Sequence, residues 1–155
     1  MADDIVMALK GIDGESKLKG HLKEIDLISA DFGVTAKYYD GQAAGRASFS
    51  DVHFVKFPDR SSPNLMQACS QHRNFSEAKI VFRKQGGKQL DYLVITLKNL
   101  SISSWNFGYA GSPESFSVNY DKITYDYTEQ NEKGDAGGTV STTCVLKEKP
   151  TGALG

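Results

Sequence analysis

This sequence has almost no net charge, two cysteines, three histidines and no long apolar run, and each shortage excludes something. Eighteen Lys and Arg against nineteen Asp and Glu leave a formal net charge of −1, with the two signs interspersed. No basic stripe forms, so nucleic acid is not an expected partner. The longest apolar-rich run, Leu93 to Leu97, has the length of a strand, so no membrane span is expected. The first twenty residues carry Asp3, Asp4, Asp13 and Glu15, which is not the composition of a signal peptide. The chain is therefore expected to be made and folded in a cytoplasm, where thiols stay reduced. Cys69 and Cys144 are read as buried free cysteines acting as small apolar side chains.

Catalytic and metal-binding patterns are equally scarce. His21, His53 and His72 lack the mutual spacings of a zinc site and are assigned surface or interface roles. Gly86-Gly87-Lys88 lacks the upstream glycine and following helix of a phosphate loop, and no Gly-x-Ser-x-Gly elbow occurs. Asp31-Phe32-Gly33 and His72-Arg73-Asn74 imitate kinase letters in the wrong order. Glu24 and Asp26 fall at i, i+2 of an expected strand, about 7 Å apart, a spacing that a glycosidase carboxylate pair could use. A solvated or salt-bridged face explains the same pair more simply. Trp105, Phe107 and Tyr109 could stack on a sugar, but aromatic residues at strand ends more often cover a core. No enzyme, cofactor or metal site is expected.

What is present is a β chain with one helix. With 39% hydrophobic and 24% charged residues, a chain of 155 is long enough to bury a core without staples. Residues 1–148 are read as one domain and 149–155 as a flexible tail. The helix is predicted at about 62–71. Ser61 or Ser62 offers a hydroxyl cap, Pro63 fits the first helical position, and Leu65, Ala68 and Cys69 form one apolar face. The apolar pattern predicts strands over 4–10, 23–34, 77–84, 89–98, 100–107, 115–128 and 140–146. It predicts a further one over 47–57 whose Phe49, Val52, Phe54, Val55 and Phe57 keep no single phase, as in a strand covered on both sides or bent by a bulge. Gln85 to Lys88 reads as a tight hairpin turn. Phe116, Val118 and Tyr120 alternate in one phase and Ile123, Tyr125 and Tyr127 in the other, predicting a bulge near Asp121-Lys122. Residues 35–46 show no periodicity and read as a long loop. The fold class is mainly β, a compact β-barrel of two packed antiparallel sheets with one short α-helix.

Several stretches together resemble the haemolysin-coregulated protein (Hcp) family of bacterial type VI secretion. These are Gly14-Glu15-Ser16, His21, Glu24-Ile25-Asp26, Ser62-Pro63-Asn64-Leu65, Ala68-Cys69, Ala78-Lys79, Arg83-Lys84, Gly86-Gly87, Tyr92 to Leu97 and Asp126-Tyr127. The resemblance implies a phage tail-tube-like barrel and a homohexameric ring. It also implies ring stacking into a tube within sheath proteins, a spike protein (VgrG) at the tip and effector cargo in the pore. It further implies that a chain without a signal peptide leaves the bacterial cytoplasm for the exterior or a target cell. The alternative is a stand-alone secreted β-domain that binds carbohydrate or protein.

Two surfaces are expected to serve assembly. Glu24 and Asp26 are candidates for a subunit interface, because a ring needs different patches of one copy to meet its neighbours. Tyr38, Tyr39, Asp40 and Arg46 are candidates for ring stacking. The tyrosines bring large area at little rotamer cost, and Gly41 and Gly45 let the loop turn sharply.

Overall fold

Three long strands carry most of the architecture, each alternating apolar and polar residues on either side of a shared change of phase. The computed structural model describes residues 3–85, 89–108 and 112–146. In chain order the elements are β1 Asp4–Leu9, β2 Ile25–Leu27, β3 Ser29–Asp31, β4 Val34–Thr35, β5 Tyr38–Tyr39, β6 Gln42–Ala43, β7 Ser48–Phe49 and β8 Val52–Lys56. The helix α1 Ser62–Ser70 follows, then β9 Asn74–Arg83, β10 Asp91–Asn106, β11 Glu114–Gln130 and β12 Ala136–Val145. The expected turn at 85–88 and the tail at 149–155 fall wholly or partly outside the described residues, as does Tyr109.

The main sheet runs β2-β1-β9-β10-β11-β8-β3, antiparallel throughout, with β12 added to β11. Its two ends are neighbours in sequence. Residues predicted as one strand over 23–34 pair first with β1, Val6 facing Asp26, and then with β8, Ala30 facing Phe54. The switch falls at Ile28, whose N–H donates to the Val55 carbonyl at 2.7 Å. One short segment thus joins the two ends of the strand path and curls the sheet into a barrel, while β12 adds to β11 outside that path. Among the described residues the barrel is mainly β with a single helix, and its packed layers are opposing parts of one sheet.

Inside lie Met7, Ile25, Phe54, Ile80, Leu97, Leu100 and Phe116, all essentially inaccessible. Phe54 and Phe116 stack obliquely with ring centroids 5.0 Å apart. The helix packs on β10 through buried Leu65 and Ala68. It ends where His72 turns left-handed (φ 54°) and the Arg73 N–H reaches back to the Ala68 carbonyl at 3.0 Å, a C-terminal lock usually built on glycine. Cys69 and Cys144 are free thiols as expected, but both are half-buried rather than buried. Cys69 lies at the margin of the docked helix face, whose centre Leu65 and Ala68 take.

The phase change in β11 is present, with Tyr120 and Ile123 both inward. It is not a one-strand bulge, because the partners change phase in step: Leu100 and Leu97 on β10, Phe75 and Ala78 on β9. The register offset between β10 and β11 falls elsewhere, at Ile102/Ser104. Among the described residues no helix is long and apolar enough to cross a membrane.

Candidate assembly surfaces

The residues read as a loop over 35–46 form a projecting arm. Val34 pairs with Phe49 and Thr35 with Ser48 at its base; Tyr38 pairs with Ala43 and Tyr39 with Gln42 near its tip. The Ser50 N–H to Gly33 carbonyl bond (2.9 Å) and the Gly33 N–H to Ser50 Oγ bond (2.8 Å) tie the two legs where they leave the barrel. At the tip, Asp40 (φ 50°) and Gly41 (φ 79°) are both left-handed, which is the requirement of a type I′ hairpin turn. Tyr38 and Tyr39 are 68% and 76% exposed, and Asp40 and Arg46 are exposed with them. The arm does not fold back over its own barrel.

The two candidate carboxylates have different surroundings. Asp26 sits at the centre of β2 with its side chain outward and exposed. Glu24 stands just before β2 and grips His21, whose Nδ1 lies 3.0 and 3.1 Å from the two Glu24 oxygens. His21 Nε2 reaches Asp91 Oδ2 at 3.0 Å, and Arg83 Nε donates to Asp91 Oδ1 at 2.5 Å. Four charged groups thus clip the 17–24 segment to the ends of β9 and β10. Burial pushes the His21 imidazole down, but its bonds to Asp91 and Glu24 outweigh this and hold it above the usual histidine value. Burial likewise pushes Asp91 up, and the bonds from Arg83 and His21 win, holding it below the usual carboxylate value.

The rest of this N-terminal stretch is equally committed to the fold. A Cβ on Gly14 would lie 2.5 Å from the Glu24 carbonyl oxygen and 2.7 Å from the Ile25 Cα, so only glycine fits. Glu15 accepts from the Arg60 N–H at 2.6 Å, and Ser16 is buried.

A second cluster was not foreseen. In β8 the alternation Val52, Phe54, Lys56 carries a lysine to the inner face, where it is fully buried, while Phe57 is exposed. The Lys56 ammonium donates to the Phe57 carbonyl (3.0 Å), Asp59 Oδ1 (3.0 Å) and Ser62 Oγ (3.1 Å), and lies 3.4 Å from Glu114 Oε2. Buried Glu114 also accepts from Trp105 Nε1 (3.0 Å) and from Ser62 Oγ. The expected hydroxyl cap is therefore absent: Ser61 holds the N-cap position without a side-chain cap bond and donates to Asp59 instead. Pro63 follows Ser62 as the second helical residue, still in the turn where its missing N–H is harmless. The network fastens the helix start between β8 and β11. Trp105 serves it rather than an open platform.

Residues 6–127 match the family described as Type VI secretion system effector, Hcp. Protein hcp1 of Pseudomonas aeruginosa is 35% identical over 147 residues, covering 89% of this chain and 91% of that one. Among solved structures, one described as a type six secretion system protein superimposes with a TM-score of 0.84 at 25% identity, over 94% of this chain and 96% of that chain. Hcp1 from Salmonella typhimurium superimposes with a TM-score of 0.79 at 27% identity, over 95% of this chain and 97% of its own.

Proposed function

This chain belongs to the Hcp family of type VI secretion, and on that premise we propose that it is a structural, non-enzymatic subunit of the secretion tube. Six copies close a ring by head-to-tail contacts, and rings stack within the sheath proteins. Effectors ride in the pore, the spike protein VgrG caps the tube, and the subunit leaves the cell with them.

The observation that carries this reading is the arm over 33–50. It is a hairpin built to stand away from a closed barrel, and its tip presents two adjacent tyrosines to solvent. Aromatic side chains at a protruding tip suit a contact with another molecule, because they bury large area with few torsions to fix. Tyr38, Tyr39, Asp40 and Arg46 are assigned to stacking between rings. Asp26 is assigned to the lateral contact, with Glu24 supporting it through the His21 clip.

The native mass measured by light scattering during size exclusion tests the reading. Six times the subunit mass supports it. A monomer mass at micromolar concentration contradicts it and favours a stand-alone binding domain.

A further inference from the structure

Cations that lie far apart in the sequence meet on the barrel surface where β1 ends. Lys10 follows β1, Lys23 precedes β2, Arg73 follows the helix, and Lys79 stands exposed in β9 opposite Ala8. The three lysines line one groove of about 370 Å³. Arg73 flanks its Gly11 wall, where an added Cβ would lie 2.9 Å from a guanidinium nitrogen. Three carboxylates line the groove as well, but two are engaged. Glu24 holds His21 through both oxygens, and Glu77 accepts from Lys98. Among the described residues, Asp13 is the groove carboxylate that has no bonded cation. The bond from Lys98 holds Glu77 below the usual glutamate value against the opposing effect of burial, and the nearby charges of Lys98, Lys79 and Lys10 add to it. Lys10 and Lys79 therefore act on one point from two segments.

The rim of the groove is held in an uncommon conformation. Lys23 has φ 67°, in the left-handed region that side chains other than glycine seldom adopt. Bonds on both sides fix it there: its N–H donates to the Ser16 carbonyl at 2.9 Å, and its carbonyl accepts from the Gly14 N–H at 2.8 Å. The same turn leaves Leu22 67% exposed on the groove beside Lys23. Backbone held against its preference concentrates at binding surfaces, and here it presents an apolar side chain next to a cation.

We propose that this groove docks an acidic segment of a partner protein, with glutamates or aspartates meeting Lys10, Lys23, Lys79 and Arg73 and an apolar residue packing on Leu22. The inference goes beyond the tube reading and does not depend on it. Charge complementarity selects the occupant: the excess of cations over unengaged carboxylates calls for negative charge, in a chain whose net charge is −1. Nucleic acid fits less well, because Asp13, Glu24 and Glu77 interleave with the cations and would repel a continuous run of phosphates. Leu22 would also have no partner on a phosphate backbone. A peptide can space its carboxylates to the cations and offer an apolar side chain between them.

Fluorescence anisotropy of a labelled glutamate-rich peptide containing leucine, titrated with the full-length protein at low salt, tests the assignment. Binding should saturate and should weaken about fivefold or more in Lys23→Gln/Lys79→Gln. Lys122→Gln/Lys133→Gln removes the same charge elsewhere on the surface and should bind as wild type does. Leu22→Ser should weaken this peptide but not an all-glutamate one. In about 1 M salt, where the Debye length is about 3 Å, binding should fall sharply. Acetylation of lysines in the wild-type protein, read by mass spectrometry, gives a second test without any variant: bound peptide should protect Lys10, Lys23 and Lys79. Equal losses in the two double variants, or protection spread evenly over the surface lysines, would overturn the assignment. So would wild-type protein that does not bind the peptide at low salt. A single-stranded oligonucleotide that binds more tightly, with the same dependence on Lys23 and Lys79, would overturn the choice of a protein partner.

Discussion

Replacing Lys56 by methionine keeps the length of the side chain and removes its charge from a site that water does not reach. Three donated bonds disappear, to the Phe57 carbonyl, Asp59 and Ser62, together with the contact to Glu114. Glu114 keeps its bonds from Trp105 and Ser62, and Asp59 keeps its bonds from the Ser61 N–H and hydroxyl, so neither carboxylate lacks a donor. What both lose is the nearby cation. Breaking a buried pair by removing one partner costs about 3–5 kcal/mol. At the scaling for a domain of this size, that is a drop of roughly 6–20 °C in melting temperature. Thermal unfolding followed by circular dichroism at neutral pH measures it. The double variant Lys56→Met/Glu114→Gln removes the uncompensated charge as well and should recover a substantial part of the loss. If Lys56→Met melts within about 2 °C of wild type, less than 1 kcal/mol on the same scale, the cluster is not what fastens the helix start. If the double variant is no more stable than the single one, the cost came from packing rather than charge.

Other perturbations separate folding from assembly. Replacing Tyr38 and Tyr39 by serine should leave melting temperature and ring mass unchanged but shorten or abolish tubes seen by electron microscopy; a large drop in melting temperature would place the arm in the subunit's own core. Gly14→Ala forces a methyl against the backbone of residues 24 and 25 and should destabilise by about 1–3 kcal/mol, read by denaturant unfolding. The His21 clip predicts a pH dependence. His21 is raised above 6.5 in the folded protein, so its contribution is complete below 6.5 and is lost as pH climbs through the raised value. Asp91 is lowered below 3.8, so its contribution is present above 3.8 and lost as pH falls through the lowered value. The stability difference between wild type and His21→Gln should therefore shrink on the alkaline side, and a difference that grows there would contradict the assigned bonds.

Much of this fold is legible in the sequence because local pattern and tertiary environment agree. The helix is marked by Pro63 and by the spacing of Leu65 and Ala68, and the long strands by their alternation. What is not legible depends on where the chain travels. Nothing in residues 23–34 says that one half pairs with β1 and the other with β8, since both halves alternate alike. The phase change at Tyr120 and Ile123 is visible in one strand, but its cause is shared by three, which only register reveals. Two features were written plainly and are easy to misread. Asp40-Gly41 is a strong two-residue hairpin signal, hidden by the shortness of the ladders beside it. Val52-x-Phe54-x-Lys56 is a clean inward alternation whose last member is a lysine, and an inward lysine is improbable until Asp59 and Glu114 are seen to meet it. Glu24 and Asp26 show the converse limit. Spacing sets them on one strand face, whereas the turn at 21–24 takes Glu24 to His21 and leaves Asp26 outward.

Electron microscopy of the purified, full-length protein tests the central claim most directly. Particles averaged without imposed symmetry should show rings of six subunits around an open centre, and end-on stacks of such rings at higher concentration. Solid particles without a central opening, or a field of single subunits at concentrations where the rings should persist, would contradict the account.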